Sequence, residues 1–137
     1  MKYIIFYLTI LLIFNLIICF KYFKFKENFT TLNGINSFDR VFYINLDNRF
    51  DRKQQILNEI RKNNINMNKV ERLPAVYNKD NGHIGCAESH KKIMEIAMAR
   101  KYKNILVLED DFVFIDSKEK VNKRINEFLN RFGNDWD

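Results

Sequence analysis

Three short runs of strand-forming residues, VFYINL (41–46), VERLPAV (70–76) and NILVLE (104–109), are separated by long stretches that carry helical periodicity. Antiparallel strands can be joined by a two-residue turn, whereas parallel strands need a crossover of about a dozen residues or more, usually a helix. Strands alternating with helices therefore predict an α/β fold on a parallel sheet. After the first strand, Asp47 and Asn48 supply helix-start residues, and Phe50, Leu57 and Ile60 can share one stripe. Pro74 confines the second strand to an edge or a terminus. Residues 85–102 read as a helix in which Cys86, His90, Ile93 and Ala97 recur at helical steps. The last helix opens with Asp116 and Glu119 in capping-box spacing. It carries Val121, Ile125, Phe128 and Phe132 on one face and stops at Gly133.

The globular body begins near Val41, behind a polar connector at 27–40. The segment ahead of it, YIIFYLTILLIFNLIICF at 3–20, is free of formal charge. As a helix it would rise ~27 Å, close to a bilayer's hydrocarbon thickness. Residues 1–26 thus predict a membrane anchor with a basic flank and a single-pass membrane protein. A cleaved signal would need a shorter apolar region and small residues at a cleavage site. Lys21, Lys24 and Lys26 follow the span while Lys2 precedes it. The positive-inside rule would then keep the body cytosolic, the reverse of what a lumenal enzyme needs, so orientation stays open. These lysines also explain the net charge of +6: of 23 Lys and Arg, four lie at 2, 21, 24 and 26, leaving 19 against 17 acids. The basic excess suits lipid headgroups, not a nucleic-acid face. Cys19 falls within the apolar run and Cys86 in the body, so no disulfide framework is expected.

The stretch ILVLEDDFVFI (105–115) sets Glu109, Asp110 and Asp111 side by side at the end of the third strand. Partly desolvated neighbouring carboxylates resist ionisation unless a cation or a set of donors offsets the charge. Ligands of open α/β sheets bind beyond the carboxyl ends of strands. Clustered hard oxygen donors there suit Mn²⁺ or Mg²⁺ shared with substrate phosphates; the bland alternative is a solvated strand end. Arg49 and Arg52 fall in the first turn after strand one, where a guanidinium can fork onto phosphate oxygens, or simply lie in solvent. Gly82 and Gly85 permit close backbone approach, and the helix they open could face an anion. Cys86 and His90, four apart, would make half a zinc site or a nucleophile with its base only if further partners joined them.

INLDNRFDR, GHIGCAESH and ILVLEDDF, in that order and spacing, resemble glycosyltransferase family 25, which includes lipopolysaccharide and collagen galactosyltransferases. The resemblance covers residues 39 to 137. It implies a GT-A (Rossmann-like) nucleotide-sugar-binding half-domain over 41–137, behind the membrane helix. It also implies inverting transfer of a hexose, galactose or glucose, from a UDP-sugar to a hydroxyl acceptor on a glycan, lipopolysaccharide or hydroxylysine. By that likeness Glu109 and Asp111 hold the metal, with Asp111 the first choice. Asn45, Asp47, Arg52, Gly85, Ser89, His90 and Asp110 would contact the donor. His90 reads as a residue hydrogen-bonded near the donor pocket. Arg49 reads as a surface residue.

An inverting transfer needs a general base for the acceptor hydroxyl, and none is named here. The family's domain continues past the point where this chain ends, so the base and acceptor site are expected from a C-terminal half encoded separately. An alternative of another class is a catalytically incomplete fragment that acts as a nucleotide-binding or interaction module. A metal-dependent nucleotidyltransferase, releasing pyrophosphate, is a third.

Overall fold

The computed structural model describes residues 13–21 and 33–133. The chain divides into two units, at Met1–Asn33 and Gly34–Asp137. In the first, the described residues 13–21 are helical (α1), with Phe14, Leu16 and Phe20 exposed.

This corrects the expected membrane-spanning helix, and with it the fold class that placed a half-domain behind such a helix and the single-pass localisation. Among the described residues no helix is long and apolar enough to cross a membrane. Residues 13–21 account for only ~14 Å of helical rise, under half of the ~30 Å a bilayer core requires. Residues 3–12 of the expected span lie outside the described residues, as do Lys24 and Lys26.

The second unit is a small α/β fold. Its elements are β1 (Arg40–Asn45), α2 (Phe50–Lys62), β2 (Val70–Pro74), α3 (Gly82–Ala99), β3 (Ile105–Glu109) and α4 (Lys118–Phe132). Short 3-10 turns stand at Gly34–Ser37 and Met67–Lys69. The three strands form one sheet in the order β2-β1-β3, all parallel, consistent with a Rossmann-like arrangement. β1 pairs Val41 with Val70 on one side and with Leu106 on the other. A central parallel strand is covered on both faces and is therefore written as a continuous apolar run; five of the six β1 residues are buried.

Side chains alternate across the sheet, and the two cores follow that alternation. Val41 and Tyr43 join Ile56 and Ile60 of α2, Leu108, and Val121 and Ile125 of α4. Phe42 and Ile44 face the other way, onto Leu73 and Ile93 of α3. Full burial of such side chains stabilises by ~1.5–3 kcal/mol each. The sheet is thus sandwiched, with α2 and α4 on one face and α3 on the other. Pro74 ends β2, which is an edge strand, as its missing N–H requires.

Several local details differ from the sequence expectation. Phe50 is exposed, because the α2 stripe is set by Ile56 and Ile60, and Phe50 lies ~120° around the helix from Ile56. Neither Asp47 nor Asn48 caps α2; Arg49 precedes it without a side-chain cap bond. Ser117, not Asp116, caps α4, its Oγ accepting from the Lys120 amide, while the Asp116 carboxylate takes Lys120 Nζ and Arg124. Gly133 ends α4 at φ 61°, the left-handed region that glycine tolerates. Gly34–Ser37 is fastened to α4: the Asn126 and Asn122 side chains accept from the Gly34 and Ile35 amides. Gly34 has φ 56°, and a Cβ there would run into Asn122.

Candidate functional site

Where β1 and β3 end, the chain leaves an open cleft of about 250 Å³. Its floor is Ile44–Leu46 and its walls are residues 75–78, Gly82, Cys86 and Ser89 of α3, and Glu109 and Asp110. It lies where a parallel α/β sheet receives ligands.

Asn45 organises the floor. Its side chain is 2 % exposed and fully engaged: Nδ2 donates to Asp110 Oδ2 (2.8 Å) and to the Arg49 carbonyl (3.0 Å), and Oδ1 accepts from Arg72 Nε (3.2 Å). Arg72 Nη2 also donates to the Asn45 carbonyl (3.0 Å) and to Asp47 Oδ1 (2.7 Å). One amide therefore ties the tips of all three strands together, and it delivers the donor that a carboxylate at the end of a buried strand needs.

The three acids do not point one way. The Phe112 amide donates to the Glu109 carbonyl (3.1 Å), closing a turn over 109–112 that fans the carboxylates apart. Glu109 turns to α3, with Oε1 3.2 Å from His90 Nε2 and 3.5 Å from Cys86 Sγ. Asp110 turns to Asn45. Asp111 turns to α2, with Oδ2 3.5 Å from Arg52 Nη1. The cleft thus gathers Asn45, Gly85's helix, Ser89, Glu109 and Asp110; His90 joins through Glu109, Asp47 joins through Arg72, and Arg52 pairs with Asp111 on the other side of the turn. Arg49 is occupied by a two-bond pairing with Asp51, which holds that carboxyl well below its usual range.

α3 reaches this wall because its buried stripe is Gly85, Ser89, Ile93 and Ala97; Ile93 and Ala97 are as expected, while Gly85 and Ser89 take the places expected of Cys86 and His90. A Cβ on Gly85 would collide with the Val76 carbonyl, so only glycine lets the helix approach. Ser89 fixes the same contact: its Oγ accepts from the Val76 amide (2.8 Å) and donates to the Gly85 carbonyl (2.7 Å). Cys86 and His90 are left on the flank that meets Glu109. Burial pushes the Cys86 thiol up, and the Glu109 carboxylate, which accepts its S–H, pushes the same way.

Sequence reasoning missed Arg72, Tyr77 and the 75–78 wall. An arginine in the middle of a short strand was the available sign of Arg72, since a charge there must meet a partner. Tyr77 is exposed and lines both the main cleft and a second depression beside Asp47.

Fold and cleft together define an α/β protein with a ligand crevice at the carboxyl ends of parallel strands. Residues 75–136 match the model of the family described as Glycosyltransferase family 25 (LPS biosynthesis protein). No curated protein and no solved structure matches the chain. The matched segment, a little under half of the chain, contains GHIGCAESH and ILVLEDDF and bears out the resemblance read from those blocks. It points to a glycosyltransferase, and so to a sugar donor and a glycan acceptor in general.

Proposed function

We propose that the cleft binds a UDP-sugar and that the protein serves transfer of a hexose, galactose or glucose, to a hydroxyl acceptor on a glycan, lipopolysaccharide or hydroxylysine. One observation carries this reading: nine of the twelve residues that line the cleft fall inside the segment that matches the glycosyltransferase family. The walls of the crevice come from the segment that carries the family signature, and its floor, residues 44–46, comes from the end of β1 outside that segment.

The residues divide the work by their chemistry. Asn45 holds Asp110 in place from beneath, and the Asp110 carboxylate is then positioned to accept hydrogen bonds from ribose or sugar hydroxyls. Tyr77 offers an exposed aromatic face on which a uracil ring can stack. Gly82 opens α3 at the cleft, and the amino end of a long helix favours a diphosphate. Asp47 joins the floor through Arg72, and the Arg52 guanidinium, paired with Asp111 at 3.5 Å across the turn, would reach phosphate oxygens by exchanging that partner. Mn²⁺ or Mg²⁺ would be held by Asp111, a hard oxygen donor whose side chain is 60 % exposed and so within reach of a hydrated ion; Glu109, the other ligand expected from the sequence, turns instead to His90 and Cys86. Such an ion, when bound, neutralises charge on the departing nucleotide.

Isothermal titration of UDP into the full chain tests this. UDP is expected to bind more tightly when Mn²⁺ is added, and Asp111→Ala should remove most of that gain, weakening binding more than about tenfold. An affinity unchanged by both Mn²⁺ and Asp111→Ala would refute the metal role, and absence of any UDP binding would refute the donor site.

A further inference from the structure

Cys86, His90 and Glu109 bring a sulfur, a nitrogen and an oxygen together beside the cleft. Their ligand atoms all lie within 4.8 Å of one another, and they form the group of potential metal donors found among the described residues. Cys86 and His90 are separated by one helical turn on the flank of α3, and Glu109 is supplied by the end of β3 across from them. Neither element alone holds three ligands; the packing of α3 on the sheet, which requires Gly85 at its contact with Val76, creates the set.

We propose that these three residues form a binding site for a zinc-class transition metal, with thiolate, imidazole and carboxylate as protein ligands and a fourth position open to the cleft. Zinc bonds of ~2.0–2.3 Å arranged tetrahedrally put neighbouring ligand atoms ~3.3–3.6 Å apart. Two of the three separations, 3.2 Å for His90 Nε2 to Glu109 Oε1 and 3.5 Å for Cys86 Sγ to Glu109 Oε1, are close to those of such a polyhedron, and the third pair lies within 4.8 Å. Binding releases the Cys86 S–H proton to solvent and takes the lone pair of His90 Nε2, the ring proton then standing on Nδ1. The three side chains are partly open, so an ion has a way in. The site goes beyond the donor-binding reading. Hard Mn²⁺ and Mg²⁺ favour all-oxygen sets, whereas a sulfur and an imidazole select zinc, cobalt and their neighbours.

Cobalt titration of the full chain reads the site directly, because only a sulfur ligand gives a thiolate-to-cobalt charge-transfer band. The expected result is such a band saturating at one Co²⁺ per chain, bleached by Zn²⁺, retained in Cys19→Ser and absent from Cys86→Ala. His90→Ala keeps the sulfur and should weaken Co²⁺ binding more than about tenfold. Circular dichroism of each variant separates loss of a ligand from loss of fold. No band in the wild-type chain, a band that survives Cys86→Ala, or one abolished by Cys19→Ser overturns the site. The band is recorded without nucleotide, so it can fail while Mn²⁺-dependent UDP binding stands, and the reverse.

Discussion

Replacement of Asn45 by leucine is expected to destabilise the α/β unit by about 3 kcal/mol and to abolish UDP binding. Leucine keeps the branching of asparagine, is somewhat bulkier, and has neither donor nor acceptor. Asp110 loses the amide that faces it at 2.8 Å, the Arg49 carbonyl loses its donor, and Arg72 loses one of its acceptors. Each buried polar group left unpaired costs ~1–3 kcal/mol, and more where charge is involved. Among the described residues every buried side-chain nitrogen and oxygen has a partner, so the loss has no existing slack to absorb it. For a unit of this size such a loss lowers Tm by roughly 15 °C. Asn45→Asp is a sharper companion: it keeps an acceptor for Arg72 but sets a second carboxylate against Asp110, and like charges at hydrogen-bond distance are costly. A Tm within a few degrees of wild type for both variants would show that the strand tips are not held through this amide.

Phe42→Ala should cost about 3–5 kcal/mol, the usual penalty for emptying a core aromatic site. Phe42 is fully buried on the central strand and packs with Ile44, Leu73 and Ile93 under α3. Deleting the ring removes the support on which α3 rests and so loosens the cleft wall that Gly85 and Ser89 hold against Val76. A domain of about a hundred residues has roughly 5–15 kcal/mol in total, so the variant should unfold at markedly lower urea with an unchanged slope. A midpoint close to wild type would mean that the face toward α3 contributes little, contrary to the two-sided core described here.

The strands were the legible part of the sequence. VFYINL and NILVLE both read as buried strands and Pro74 as an edge or terminus, but their apolar runs did not tell which is central: β1 is, with five of six residues buried, while β3 is an edge strand with one. Helix starts were less legible, because capping is decided by which oxygen the chain turns toward an amide: Asn81 for α3 and Ser117 for α4, where Gly85 and Asp116 stood out by pattern. Ile93 and Ala97 of the expected α3 stripe are buried, but its first half is displaced by one residue, from Cys86 and His90 to Gly85 and Ser89, because close approach selects small residues that hydropathy reads as indifferent. At the site, the adjacency of Glu109, Asp110 and Asp111 was plain, but their separation into three directions depends on the turn closed by Phe112, which no pattern in the triplet encodes. Arg72 escaped for a related reason: its partners Asn45 and Asp47 are 27 and 25 residues away and meet it only through strand pairing.

The claim on which the account turns is that the crevice at the strand tips is where the nucleotide sits. Photolabelling the full chain with an azido-uridine diphosphate sugar, followed by peptide mapping, measures this. Label is expected on peptides that contain residues 44–46 and 75–89, suppressed by excess UDP. Label concentrated instead on residues 112–125, or spread over the surface and insensitive to UDP, would contradict it.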